Sequence, residues 1–169
     1  VSESIFAINS ALKINKKNSV LWFLKSNCYL SLNHPDSALI FLDNAIKYDP
    51  ENTGYIKARS MLYKSLGMNE LQLSDIKRLI KLDTNNINFK SYLYSYFLDN
   101  NDTLIAIKGY ESILKKEPFN SNTLASLGFI YFRQKKYKLA KNYLNRQIAT
   151  NPTDGEVFFV LGLIASKEK

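Results

Sequence analysis

SVLWFLKSNCYLSLNHPDSALIFLDNAIKYDPEN, residues 19–52, holds two helices and the turn between them. Leu21, Trp22, Phe23, Leu24, Cys28 and Tyr29 have neighbours three, four and seven apart, which is the spacing of a helix face and not of a strand. Asn33, His34 and Pro35 interrupt that run. Pro35 suits the first turn of a new helix, where its missing N–H would have had no partner in any case. Ala38, Leu39, Leu42, Ala45 and Ile46 carry the second helix, and Pro50 stops it. Asn52 then offers a side-chain oxygen to the free N–H groups of the helix that follows. Connections this short make neighbouring helices antiparallel.

The same unit recurs along the whole chain. Asn18, Asn52, Asn86, Asn120 and Asp154 stand 34 residues apart, and Tyr29, Tyr63, Phe97, Tyr131 and Ala165 keep that interval with no insertion. A fixed period of this length means one supersecondary unit stacked on copies of itself. The expected organisation is a single domain with four full units, 19–52, 53–86, 87–120 and 121–154. A lone second helix (1–18) precedes them and a lone first helix (155–169) follows. Small residues fill the points where the two helices of a unit cross closely: Ser26, Ser60, Gly128 and Gly162 on first helices, Ala38, Ala106 and Ala140 on second helices. Tyr94 and Gln72 break this pattern, which predicts a tilted or loosened crossing in the two middle units. Ile46, Ile80, Leu114 and Ile148 recur on second helices and are expected to bury against the next unit.

Composition narrows the class. With 46% hydrophobic and 22% charged residues the chain resembles an ordinary globular protein and not a disordered one. Its longest apolar stretch, Val157–Ala165, is nine residues, against roughly 20 needed to span a bilayer. Cys28 is the only cysteine, so neither an internal disulfide nor a cysteine-rich metal site can form. The chain starts at Val1 without an initiator Met, from which an upstream segment such as a leader, anchor or linker is expected. Cytoplasmic and cell-envelope locations, the latter as a lipid-anchored or secreted form, both stay open. Lys-, Asn- and Tyr-rich usage fits an AT-rich coding sequence of a bacterial kind.

Little in the chain could perform catalysis. His34, the sole histidine, lies in a turn beside Pro35 and Asp36, where capping or solvation is expected. Cys28 reads as a small core hydrophobe on the packed side of its helix. No Gly-rich phosphate loop, metal-ligand cluster or nucleophile elbow is present, and the carboxylates are scattered over turns and outer faces. The expectation is therefore a chain that is not an enzyme, with no cofactor and no metal. Positive charge is uneven within a net +8, and Arg133, Lys135, Lys136, Lys138 and Lys141 cluster at one turn. Nucleic-acid binding would need such a cluster extended over several units with aromatics for stacking. A solvated basic edge is the expected role of this patch.

The residues of the repeat resemble those of the tetratricopeptide repeat family, whose 34-residue pattern places Trp, Leu, Gly and Tyr on the first helix and Ala, Phe, Ala and Pro on the second. Residues 19–52 match with Trp22, Tyr29, Ala38, Ala45 and Pro50, and residues 121–154 with Leu127, Gly128, Tyr131, Ala140 and Pro152. The other two units are weaker, with Gln72 in place of Ala, Thr84 in place of Pro and Tyr94 at a small position. The resemblance implies an all-α, right-handed α-solenoid of antiparallel helix pairs, coiled into a superhelix whose concave groove binds a peptide or protein. On that basis the groove residues are Phe23, Asn27, Lys57, Met61, Lys64, Ser91, Ser95, Phe129, Phe132, Phe159 and Leu163. A groove of this mixed apolar and basic character suits a peptide bearing hydrophobic and acidic side chains. Family members that grip a chaperone's C-terminal carboxylate need Lys, Asn and Arg at set points. Only Asn27 fits that set, which disfavours a co-chaperone.

The final helix carries apolar residues all round, Val157, Phe158, Phe159, Val160, Leu161, Leu163 and Ile164, whereas a terminal unit normally shows a polar outer face. It is therefore expected to be covered, by further chain or by self-association through residues 155–167. The function expected from the resemblance is a non-catalytic protein-interaction module, a scaffold or adaptor. The alternative is a sensor or targeting segment of a larger enzyme or transcription regulator.

Overall fold

The computed structural model describes residues 1–167, and these form ten α-helices with no strand. In order they are α1 (Ser2–Ile14), α2 (Ser19–Ser31), α3 (Pro35–Tyr48), α4 (Thr53–Ser65), α5 (Asn69–Leu82), α6 (Ile87–Asp99), α7 (Thr103–Lys116), α8 (Ser121–Arg133), α9 (Tyr137–Thr150) and α10 (Gly155–Lys167). The chain divides into two compact units, Val1–Phe89 and the residues from Lys90 onward. In unit 1, α1 packs on α2, α2 on α3, α3 on α4 and α4 on α5. In unit 2, α7 packs on α8, α8 on α9, and α10 lies against both α8 and α9.

The caps that set the beat all form. Asn18, Asn52, Asn86, Asn120 and Asp154 each accept, through a side-chain oxygen, the N–H three residues on, at 3.0–3.4 Å. Three of these asparagines are themselves held by the acid three residues earlier: Asn52 Nδ2 donates to Asp49 at 2.9 Å, Asn86 to Asp83 at 3.1 Å and Asn120 to Glu117 at 2.9 Å. A carboxylate beside a helix N-terminus also complements its dipole. The turn inside each pair keeps the same period. Asn33, Gly67, Asn101 and Lys135, again 34 apart, all adopt positive φ, between 58 and 69°.

Close helix crossings form where both residues are small. Ser26 Oγ donates to the Ala38 carbonyl at 2.9 Å, and a Cβ added to Gly128 would come within 2.3 Å of the Leu144 side chain. The expectation of loosened middle crossings holds for Tyr94 only. Its ring lies over Gly109, where an added Cβ would fall 2.2 Å from it, and the backbones of α6 and α7 do not run close together as those of the other pairs do. Gln72 is accommodated instead: α4 and α5 stay close, with Ser60 Oγ donating to the Gln72 carbonyl at 3.4 Å. The inter-unit apolar positions are also uneven. Ile46 is buried, while Ile80, Leu114 and Ile148 are half-buried.

Candidate protein-binding surfaces

In unit 1, Lys57, Met61 and Lys64 lie exposed on α4, one turn apart, while Tyr55, Ile56, Ser60, Leu62 and Tyr63 of the same helix are buried. Spacing of four and three puts the three on one stripe. Asn27 is exposed on α2. Phe23 is half-buried, its ring 4.9 Å from Tyr55 at 33°, so it joins α2 to α4 and is not a free groove side chain.

Beside this stripe sits an ion-pair network that the spacing of carboxylates did not reveal. Arg59 on α4 donates Nε and Nη2 to the two oxygens of Asp75 on α5, at 2.8 and 2.6 Å, and Nη1 to Asp43 on α3, at 2.7 Å. Asp75 is buried, so its charge is tolerated only because the guanidinium meets it with two hydrogen bonds. The bond to Asp75 raises the Arg59 pKa despite the opposing effect of burial. The three residues are spaced by 16, which no helical periodicity would flag; their meeting depends on three helices packing together.

Thirty-four residues before Arg59, Lys25 finds no such carboxylates. Its ammonium stands 4.3 Å from the centre of the Phe41 ring, and burial lowers its pKa. Trp22, stacked on Phe41 at 6.1 Å, donates its indole N–H to the Lys16 carbonyl at 2.8 Å. Between α1 and α2, Trp22, Lys25 and Lys16, with Phe6, Leu12 and Lys13, wall an open cleft of about 510 Å3. A second groove between the same helices, of about 490 Å3, is lined by Val1, Ser4, Ala7 and Ile8 of α1 and by Leu24, Asn27, Cys28 and Ser31 of α2. Cys28 is therefore half-buried along a groove and not a core residue. His34 is exposed, makes no cap bond, and has its ring 6.4 Å from Tyr29, which leaves the solvated role.

In unit 2, Ser91 and Ser95 on α6 and Phe129 and Phe132 on α8 are half-buried, Phe132 lying 6.0 Å from Tyr137. On α10, Leu163 is half-buried and Phe159 is 67% exposed. Arg133, Lys135, Lys136, Lys138 and Lys141 are all exposed around the α8–α9 turn. Lys136 Nζ lies 5.8 Å from the Tyr131 ring, which stacks on Tyr143 at 5.6 Å and 12°. Glu111 accepts from the Tyr131 hydroxyl at 3.5 Å. Burial first, and the Glu111 charge second, raise the pKa of both tyrosines. Among the described residues no three His, Cys, Asp or Glu side chains converge as metal ligands would, and no helix is long and apolar enough to cross a membrane.

Thirteen-residue first helices and fourteen-residue second helices, capped on one beat, define an all-α solenoid of helix pairs. The family model of the tetratricopeptide repeat matches residues 20–52 and 121–154, so the first and fourth units are similar to that family. Over 161 residues the chain is 22% identical to the BBSome complex member BBS4 of Bos taurus, an alignment covering 93% of this chain and 30% of the relative. The chain spans less than a third of the length of the curated relatives it matches. In structure it is similar to the C-terminal part of a TPR repeat-containing protein from Cytophaga hutchinsonii, with a TM-score of 0.75 at 16% identity, covering 93% of this chain and 62% of that one. It is also similar to YrrB, described as a TPR protein with an unusual peptide-binding site, with a TM-score of 0.64 at 14% identity, covering 96% and 84%. These two likenesses concern the fold.

Proposed function

We propose that the chain is a non-catalytic protein-interaction module whose first helices present a groove to an acidic, partly hydrophobic peptide segment. The observation that carries this reading is the exposed Lys57, Met61 and Lys64 stripe on a helix whose remaining faces are largely buried. Unit 2 carries apolar contact candidates of its own in Phe129, Phe132, Phe159 and Leu163. In this reading the chain is organised as the repeats 19–52, 53–86, 87–120 and 121–154, with helices 1–18 and 155–169 on either side. Peptide binding by YrrB and complex membership of BBS4, each as their descriptions give it, agree in kind. The non-catalytic part is supported by the chain's own chemistry: its sole histidine is exposed, and its buried carboxylate, Asp75, is tied up by Arg59.

Selection from a random peptide library tests the groove. The expected outcome is enrichment of sequences with Asp or Glu beside a large apolar residue, lost in the Lys57→Glu/Lys64→Glu variant. Retention of the same peptides at the same affinity by that variant would remove the groove from the proposal. A second contact surface, for self-association, is proposed on helix 155–167, where Phe158 and Phe159 stand 49% and 67% exposed. A sensor or targeting segment within a longer protein is the second reading, favoured by the small share of each relative that the chain spans.

A further inference from the structure

One position of the repeat holds Lys25 on α2, Arg59 on α4, and then Leu93, Leu127 and Leu161 on the later first helices. Arg59 draws its carboxylates from the second helices on either side, Asp43 of α3 and Asp75 of α5. Around Lys25 the counterparts of those two acids are Asn9 of α1 and Phe41 of α3. Among the described residues no carboxylate pairs with Lys25, and its ammonium stands 4.3 Å from the Phe41 ring and 5.7 Å from that of Trp22. Burial lowers its pKa, whereas at Arg59 the bond to Asp75 outweighs the same effect. Lys25 is thus a half-buried cation without the anions that its counterpart has.

The space for such an anion is open. Lys25 and Asn9 both line the cleft of about 510 Å3, with Phe6 and Trp22 as its aromatic walls and the exposed Lys13 and Lys16 beside them. The indole N–H of Trp22 is already bound to the Lys16 carbonyl, so the ring offers apolar surface only. This cleft does not depend on where the chain starts. α3 is the counterpart of α1 with a first helix, α2, packed on it, and there Ile40, Asp43 and Lys47, the counterparts of Phe6, Asn9 and Lys13, are still exposed. Three repeats on from α1, a hollow of about 340 Å3 is lined by Glu111 and Lys115, again the counterparts of Asn9 and Lys13. The cleft lies on a face of the repeat that the pairing of helices does not cover.

We propose that this cleft binds an acidic side chain of a protein partner, its carboxylate on Lys25 and an adjoining apolar residue of the partner against Phe6 and Trp22. The partner supplies from outside what Asp43 and Asp75 supply to Arg59 from within the chain. Lys13 and Lys16 add attraction without fixing geometry, which favours a segment carrying more than one acid. Sites for small molecules enclose most of the ligand's surface, and an open cleft does not, so a peptide segment fits it better than a free carboxylic acid. The cleft shares no residue with the Lys57, Met61 and Lys64 groove, and the proposal does not rest on that groove.

Trp22 is the only tryptophan, so its indole N–H resonance reports on this cleft. The probe is the peptide acetyl-Phe-Glu-Glu-Leu-amide, with acetyl-Phe-Gln-Gln-Leu-amide as its uncharged match. The acidic peptide is expected to shift that resonance saturably in the wild type, and the Gln peptide to leave it in place. Two variants remove the site and keep the fold, with circular dichroism reporting the retained helix content. Lys25→Leu installs the residue of the later repeats, and Asn9→Asp gives Lys25 a carboxylate of its own, as Asp43 serves Arg59. Each is expected to weaken binding of the acidic peptide by at least about tenfold, the effect of losing one hydrogen bond between charged groups. Lys57→Glu/Lys64→Glu is expected to leave the Trp22 shift in place. No shift in the wild type, equal shifts with both peptides, or full affinity in Lys25→Leu overturns the proposal. Loss of the shift in Lys57→Glu/Lys64→Glu alone also overturns it and assigns the peptide to the groove. Glutarate binding as tightly as the acidic peptide would make the guest a small dicarboxylate and overturn the protein partner.

Discussion

Lys135 occupies a backbone position that its side chain does not favour. The three other left-handed turn positions on the same beat are Asn33, Gly67 and Asn101, residue types that reach positive φ at little cost, whereas Lys135 holds φ at 58° with a Cβ close to the following carbonyl. Lys135→Gly is therefore expected to stabilise the chain by about 1 kcal/mol, read as a raised urea midpoint. The period of these turns was open to sequence inspection through Asn, Gly and Asn, and Lys135 concealed it. The caps were easier to read because an Asn side chain at a helix start acts locally. Arg59 illustrates the opposite case, since its partners come from two other helices and no local pattern joins them. Asp75 is 5% exposed and Asp43 54% exposed, so the two carboxylates are not equivalent. Asp75→Ala is expected to cost about 3 kcal/mol by leaving the guanidinium without its bidentate partner. Asp43→Ala should cost less than about 1 kcal/mol. Equal losses in thermal or denaturant unfolding would mean that burial does not rank these bonds.

At the scale of elements, small residues at helix crossings explain two of the four pairs, the first and the fourth, and the third pair follows the same logic one turn along. Sequence inspection placed its close approach at Ala106 and found it blocked by Tyr94. The structure moves the accommodation to Gly109, over which the Tyr94 ring lies, with Tyr110 edge-on at 5.6 Å. Gly109→Ala should accordingly destabilise the chain by about 1 to 3 kcal/mol through overpacking. The sign is informative, because Ala in a helix interior is ordinarily favoured over Gly by about 1 kcal/mol. In the Tyr94→Ala background the same Gly109→Ala change should become neutral or stabilising. A double-mutant cycle showing simple additivity would separate the two residues energetically. Gln72 shows why a rule about size alone was insufficient. It too is large for its position, but its pair stays closed with the side chain buried, where its Nε2 has no hydrogen-bond partner among the described residues. Residue type predicted a misfit in both pairs; whether the helices parted depended on what neighbours could yield.

Across the whole molecule, the parts that repeat were legible and the parts that differ between repeats were not. Helix order, caps and pairings follow from residues close in sequence, whereas the two α1–α2 clefts and the Tyr131–Tyr143 stack arise where side chains from different helices meet. Those tertiary sites also set a property of the entire chain at alkaline pH. Tyr63 in unit 1 and Tyr110, Tyr131 and Tyr143 in unit 2 all have pKa values raised from 10.0, each chiefly by burial. A phenol whose pKa is higher in the folded chain ionises first in the unfolded one. Its contribution to stability is therefore intact below pH 10.0 and is lost as pH rises through the folded-state value. Unit 2, with three such groups against one, should loosen before unit 1 as pH climbs. Lysine titration acts in the same range and alters the net charge of +8, so the tyrosine contribution is isolated by difference. The alkaline loss in unit 2, followed by amide exchange corrected for intrinsic rate, should be shallower in Tyr131→Phe/Tyr143→Phe than in the wild type. Unit 1 should respond alike in both. Identical alkaline profiles for unit 2 in the two proteins would assign the loss to the lysines instead.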